Sequence, residues 1–271
     1  MTKIYFRPLG LCYGSDAEQL IVSRRAGRLG GSRTIGFTLV ERIKRDGKSV
    51  NREIIPYTEA LQAIEVPRGE FAGLTMDRPQ IMGIVNVTPD SFSDGGQHST
   101  SDAGASHGLA LATEGAHILD IGGESTRPGS NAVSVDAELS RVIPAIRRLS
   151  EAGHVVSIDT RKPIVMRAAV MAGAAIINDV SALQHDPDSL RMVAELKVPV
   201  VLMHAQGDPR TMQLNPQYDD VALDVYDQLE QRVLACVQAG IPRSHIAIDP
   251  GIGFGKTFRH NVELLNQLTL F

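Results

Sequence analysis

The sequence predicts an α/β fold: a (β/α)8 TIM barrel, truncated after its sixth strand and preceded by an N-terminal α+β extension. Three observations lead there. From Pro79 onward, short apolar runs alternate with helical stretches, and successive βα units joined by short loops demand a parallel sheet with right-handed crossovers. Each run is short enough for a strand buried on both faces. The polar residues Asn86, Asp120, Asp159, Asn178, His204 and Asp249 stand at the C-terminal tips of six consecutive strands. An open sheet binds at one switch point with two or three strands, whereas six tips converge only around a common axis.

The first 75 residues read differently. Residues 16–27 fit a short helix. Residues 34–44 and 49–57 fit a β-hairpin turning at Asp46-Gly47. A short helix follows over 58–64, and 68–79 reads as a linker. No catalytic constellation appears in 1–75, so its role stays open.

The repeat then runs in order. The first strand, 81–87, is stopped by Asn86-Val87-Thr88-Pro89-Asp90, and a Ser-, Asp- and Gly-rich loop runs on to Gly96. Helix 103–114 leads to strand 116–122. Helix 135–152 has Ser134 and Glu138 at an N-terminus suited to negative charge. Strand 155–160 precedes helix 162–172, with Pro163 in the tolerant first turn. Strand 174–180, helix 188–196 and strand 199–204 follow. The long helix 218–239 stops at Gly240. Strand 245–250 and a helix over 259–270 complete the chain. About 190 residues from Pro79 compare with about 250 for a whole barrel, hence the expected truncation. Two sheet edges would then need cover from the N-terminal segment or another chain.

Composition narrows the function. A net charge of −4 and the absence of Trp argue against nucleic acid or an acidic membrane as partner. Two cysteines, no transmembrane-length run and no secretory leader fit a reducing cytoplasm. Eight histidines without an i, i+4 pair, and no Cys-x-x-Cys, speak against zinc.

Asp159 and Asp249 end apolar strands. Each alone could cap the following helix. With Asn178 they offer two acceptors and an amide in one apolar bowl, suited to a flat heterocycle with amino and ring N–H donors along one edge. Unpaired buried donors cost about 1–3 kcal/mol each, so such a bowl rejects ligands lacking them. In the loop 122–129, glycines admit a ligand, Ser125 and Thr126 offer hydroxyls, and Arg127 is a fork for phosphate or carboxylate; its alternative is an ion pair with Glu124. The segment 251–257 is no P-loop, because the motif needs glycine where Pro250 stands. Its glycines would let Phe254 lie over the bowl, and Met203 could floor it. His204 reads as core.

The stretches IVNVTPDSFSDGG (84–96), DIGGESTRPGS (120–130), SIDT (157–160), INDV (177–180), LMHAQGDPRTMQ (202–213) and DPGIGFGKT (249–257) together resemble the dihydropteroate synthase family over 79–270. The resemblance implies a barrel enzyme of folate (tetrahydrofolate) biosynthesis, a transferase joining 6-hydroxymethyl-7,8-dihydropterin diphosphate to p-aminobenzoate with release of diphosphate. It implies that Asp159, Asn178 and Asp249 hold the pterin edge, with Met203 and Phe254 against its faces. Asn86 would bind Mg2+ together with the diphosphate, and Thr126 would contact the same substrate. Arg127, Thr88, Pro89 and Phe92 would close over p-aminobenzoate and the leaving group. Asn86, Arg127 and Asp159 are the expected catalytic residues, and a homodimer is the expected assembly.

The family also uses a Ser-Arg-Lys segment after a seventh strand and an Arg-x-His after an eighth. The sequence ends at Phe271, before either of these strands, so a weak or inactive catalyst is expected of this polypeptide. Two rivals remain: a pterin-binding relic without catalysis, and a pterin-binding methyltransferase domain, which would have no need of the loops at 88–92 and 125–128.

Overall fold

The computed structural model describes residues 2–58, 65–88, 97–125, 133–207 and 212–271, the side chains of 97–100 excepted. Two sheets organise it. The larger has six parallel strands: β5 (Met82–Asn86), β6 (Ile118–Gly122), β7 (Val155–Asp159), β8 (Ile176–Asp179), β9 (Val200–Met203) and β10 (Ile246–Asp249). They lie side by side in chain order, from β5 at one edge to β10 at the other. Helices α2 (Gln97–Thr113), α3 (Val135–Glu151), α4 (Pro163–Met171), α5 (Ser189–Leu196) and α6 (Val221–Gln238) make the crossovers, and α7 (Phe258–Asn266) follows β10. The βα repeat is therefore as expected, but β5 and β10 do not pair with each other among the described residues.

Local chemistry sets the helix boundaries. Ser134 Oγ accepts the Ala137 N–H and Asp220 Oδ1 that of Leu223, each relieving an orphan donor at a helix start. Pro163 opens α4, where its missing N–H costs nothing. Gly240 follows α6 with φ +95°, which ends the helix.

The pleat sorts the side chains. Val85, Leu119, Ile121, Val156, Ile158, Ile177, Val200 and Leu202 point to one face and pack under the helices, nearly all fully buried. Residues at the alternate positions share the other face. That face is concave: Asn178 of β8 reaches across β7 to hydrogen-bond Asp120 of β6 at 2.8 Å. Strands two apart are separated by roughly 9–10 Å, so the sheet must curl to bring them together.

The N-terminal part forms its own antiparallel sheet from β1 (Lys3–Tyr13), β2 (Gly27–Arg28), β3 (Ile35–Asp46) and β4 (Ser49–Pro56), with α1 (Gly14–Val22) between β1 and β2. The predicted hairpin is present. Its turn is Gly47-Lys48, because Asp46 pairs with Ser49, and Gly47 takes the positive φ of +59° that the turn needs. The eleven-residue strand β1 was not expected; its run of Arg7-Pro8-Leu9-Gly10 hides the alternation. The helix expected at 16–27 ends at Val22. Residues 59–64 of the expected 58–64 helix lie outside the described residues.

Among the described residues this sheet pairs with neither edge of the parallel sheet. It lies instead against α6 and α7. Tyr5 and Ile43 pack with Val221, Ala222, Val225, Leu229, Leu264 and Leu270. Charge frames that contact. Residues 2–58 carry eleven Lys and Arg against five Asp and Glu, whereas α6 and the turn before it are acidic. Lys3 bonds Asp227 and Glu230 at 2.5 and 2.6 Å, Arg45 bonds Asp224 at 2.7 Å, and Arg52 bonds Asp220 at 2.7 Å. The Tyr5 hydroxyl donates to Asp227 at 2.9 Å, and burial with that carboxylate pushes its pKa up to about 12. No described helix is long and apolar enough to cross a membrane.

Ile43→Ala should cost about 2–5 kcal/mol through the cavity left at this contact. Hydrogen exchange should then show faster exchange in β1 and β3 with β6 to β8 unchanged; uniform loosening would mean the two sheets share one core.

Candidate functional site

The strand register fixes which side chains share the concave face. Asn86 aligns with Gly122, Gly122 with Asp159, Asp159 with Asn178, Asn178 with Val201, and Val201 with Ala247. Directly aligned residues of a sheet point the same way. Met203 and Asp249, themselves aligned, lie two residues further along the same face. One row below lie Ile84, Asp120, Ser157 and Ile176.

The predicted bowl residues Asn86, Asp159, Asn178, Met203 and Asp249 therefore meet on one surface. Gly122 makes the room: a Cβ there would sit 3.5 Å from Asn86 Oδ1 and 3.6 Å from Asp159 Oδ2. Two of the six supposed tips do not fit. Asp120 lies in the middle of β6, one row beneath the rim. His204 follows Met203 and so faces the other way, buried beside Lys256 and Tyr218. Thr88 lies just past β5, and Phe254 sits in the turn after β10. Thr126, Arg127, Pro89 and Phe92 lie outside the described residues.

The capping alternative is realised mainly at a neighbour. Asp179, on the helix-facing side, accepts the Ser181 N–H and hydroxyl and the Leu183 N–H at 2.6–3.0 Å. Asp249 also spends one oxygen locally, accepting the Gly251 N–H at 2.7 Å, and among the described residues Oδ2 has no hydrogen bond. Asp159 has no such local bond among those described.

Burial makes the bowl electrostatically tense. It pushes the Asp159 carboxyl well above the usual carboxylate range, helped by Asp120, Asp179, Glu138 and Glu124. Asp120 is raised by burial, while the Ser157 hydroxyl and the Asn178 amide pull the other way. In an empty bowl burial thus disfavours the charged form of Asp159. Ligand N–H donors would favour its charged form.

Two buried clusters brace the site, and neither was anticipated. Lys162 Nζ donates to Glu138 at 2.5 Å, to the Val133 carbonyl at 2.6 Å and to Glu124 at 3.1 Å. Thr160 donates to Glu138 at 2.7 Å, and Glu124 accepts the Val133 N–H at 3.1 Å. Burial lifts the Glu124 pKa, but the Val133 N–H and Lys162 outweigh it and hold the carboxyl low. Beside β10, Lys256 Nζ reaches His204 Nδ1 at 3.0 Å and the carbonyls of Gly251 and Phe254 at 2.8 Å. The turn around it needs glycine: Gly251 has φ +66°, and a Cβ would collide with the His204 carbonyl oxygen. Burial lowers the Lys256 pKa to about 8 against the pull of Asp249. Burial and Lys256 together lower that of His204 to about 4. The signal for Lys256 was present in the glycine-rich segment, but only as a discarded phosphate loop. Glu138 had been visible only as a favourable helix start.

No three-acid or histidine cluster able to hold a metal occurs among the described residues. A single amide oxygen at Asn86, with Asp159 beside it, suits a cation that brings most of its own ligands. Mg2+ on a diphosphate is such a cation.

Comparison with known proteins adds the following. The sequence profile described as "Pterin binding enzyme" matches residues 82–271. The dihydropteroate synthase of Escherichia coli (strain K12) is 47% identical over 199 residues, which are 73% of this chain and 70% of that protein. A structure of Xanthomonas albilineans dihydropteroate synthase with 4-aminobenzoic acid is 57% identical, with TM-score 0.68 over 73% of this chain and 71% of that one. The X. albilineans enzyme in complex with 7,8-dihydropteroate is 53% identical, with TM-score 0.63 over 72% and 69%.

Neutral His204 makes stability pH-dependent. Its ordinary pKa is 6.5 and its folded value about 4, so the unfolded chain takes the proton first and stability falls as pH drops from 6.5 to 4. The loss should approach about 3 kcal/mol. His204→Gln, which keeps an acceptor for Lys256, should flatten that limb in urea titrations; an unchanged slope would assign it to other groups.

Proposed function

The chain belongs to the dihydropteroate synthase family of pterin-binding enzymes, and from that premise we propose that it condenses 6-hydroxymethyl-7,8-dihydropterin diphosphate with p-aminobenzoate. The products are 7,8-dihydropteroate and diphosphate, a step of folate biosynthesis. The observation that carries this reading is the row of acceptors on the concave face. Asp159, Asn178 and Asp249 can take the N–H donors along one edge of a bicyclic pterin. Met203 lies on the same face to meet the ring, with Phe254 as its counterpart on the other side.

In this reading the pterin favours the charged form of Asp159, because its amino and ring N–H groups stabilise the carboxylate that burial disfavours. Each bond of that kind contributes about 1.5–3 kcal/mol. The bond from the pterin methylene carbon to the diphosphate oxygen then breaks, and the electron pair leaves with the diphosphate. The positive charge spreads into the dihydropterin ring. The aniline nitrogen of p-aminobenzoate forms the new C–N bond and loses a proton to solvent. Its low basicity leaves it unprotonated, so no strong base is required.

Asn86 would hold Mg2+ together with the diphosphate, and the ion would supply neutralisation of charge on the leaving group. Thr126 contacts the same substrate. Arg127, with Thr88, Pro89 and Phe92, serves p-aminobenzoate and the departing diphosphate. The six strands are read as consecutive staves of a (β/α)8 barrel, and the assembly as a cytoplasmic homodimer.

The test is turnover with radiolabelled p-aminobenzoate, beside pterin binding followed by fluorescence. Wild-type protein should form dihydropteroate. Asp159→Asn should weaken pterin binding about 10- to 100-fold with little change in the KM for p-aminobenzoate. Absence of pterin binding by wild-type protein would overturn the reading; binding without turnover would make the chain a pterin-binding relic.

A further inference from the structure

We propose that Asp120, one row below the rim of the concave face, is a positioning residue that decides which end of the Asn178 amide meets the ligand. The inference rests on the pterin reading and names a specificity determinant inside it. Asp120 Oδ2 accepts the Asn178 Nδ2 donor at 2.8 Å. Asp120 is only 5% exposed, in a strand whose five residues are all buried, so the carboxylate cannot swing aside. Beneath the bond lies Ser157, fully buried and too small to block the span from β6 to β8.

The chemistry of the pair fixes the direction. An ionised carboxylate only accepts, while an amide has one accepting and one donating end. The two amide orientations have almost the same shape, so packing alone cannot choose between them. Asp120 can: turning Asn178 over would set its Oδ1 against a carboxylate oxygen. Bonds to a charged partner are the stronger kind, and losing one here shifts the balance of orientations by a factor of about 10 to 100. With Nδ2 committed to Asp120, Oδ1 is the end that remains for the ligand.

Specificity follows. Asn178 joins Asp159 and Asp249 as a third acceptor, and the edge that satisfies all three must carry N–H donors. An exocyclic amine on the pteridine ring meets Asn178 Oδ1; a methyl group in its place leaves that oxygen unpaired. Buried groups left unpaired in this way are what lets a site reject a near-isosteric ligand. Asp120 thus acts on the ligand through Asn178 without touching it.

The experiment compares two probes, a 2-amino-4-oxopteridine and its 2-methyl counterpart, by equilibrium binding to wild-type protein and to Asp120→Asn. Wild-type protein should prefer the amine by about 100-fold. In Asp120→Asn an amide faces an amide, either orientation of Asn178 is satisfied, and the preference should shrink about tenfold. The KM for p-aminobenzoate should hold. An unchanged preference, or equal weakening of both probes, would reduce Asp120 to a structural residue and overturn the inference while leaving the proposed function standing. Failure of wild-type protein to bind the amine would overturn the function and the inference with it. Should the variant not fold, the side-chain amide of Asn178 in wild-type protein gives the answer by NMR. One downfield-shifted, exchange-protected proton supports the bond to Asp120, and two freely exchanging protons contradict it.

Discussion

The two-residue alternation of side chains along six parallel strands is the constraint on which the rest of the molecule depends. One set of positions is apolar but for Asp179 at the end of β8 and is pinned under α2 to α6. A slip of one residue in any strand would drive its valines and isoleucines out of that core, so the register is strongly specified. The other set is then fixed as well. Asn86, Asp159, Asn178 and Asp249 share a face because their neighbours in sequence are claimed by the helices. The polar face costs folding energy, visible in the raised Asp159 and Asp120 carboxyls, and the apolar face offsets it.

Much of this was legible from sequence because both signals are local. An apolar run closed by Asn or Asp marks a buried strand and its outer end, and Asn86, Asp159, Asn178 and Asp249 were placed together on that basis. The signal failed on depth at Asp120, which faces the hollow from one row below the rim, and on direction at His204, which ends the same kind of run as Asp159 but faces away. Where a residue falls depends on where its strand begins in the register. That is a property of pairing, which the single chain does not display. The capping role given to Asp159 and Asp249 as an alternative fell largely to Asp179, whose side chain is on the helix-facing side of β8.

Long-range polar pairs were the least legible. Lys162 unites Glu124, Val133 and Glu138 across as many as 38 positions, and Lys256 meets His204 from 52 away. No spacing rule predicts such partners. The N-terminal sheet shows the same gap on a larger scale. Its excess of basic residues was hidden in the −4 of the whole chain, and only the fold sets Lys3, Arg45 and Arg52 against the acidic residues of α6 and its turn. That arrangement ties the extension to the outside of a helix whose inner side supports β9, the strand that carries the bowl's Met203.

The central claim is that one concave surface gathers the pterin-recognising groups. A crystal structure of the protein soaked with a dihydropterin tests it most directly. The account predicts the ring in the hollow beside Met203, with its N–H edge within hydrogen-bonding distance of Asp159, Asn178 and Asp249. A ring bound elsewhere, or turned so that those three side chains face no donor, would contradict it.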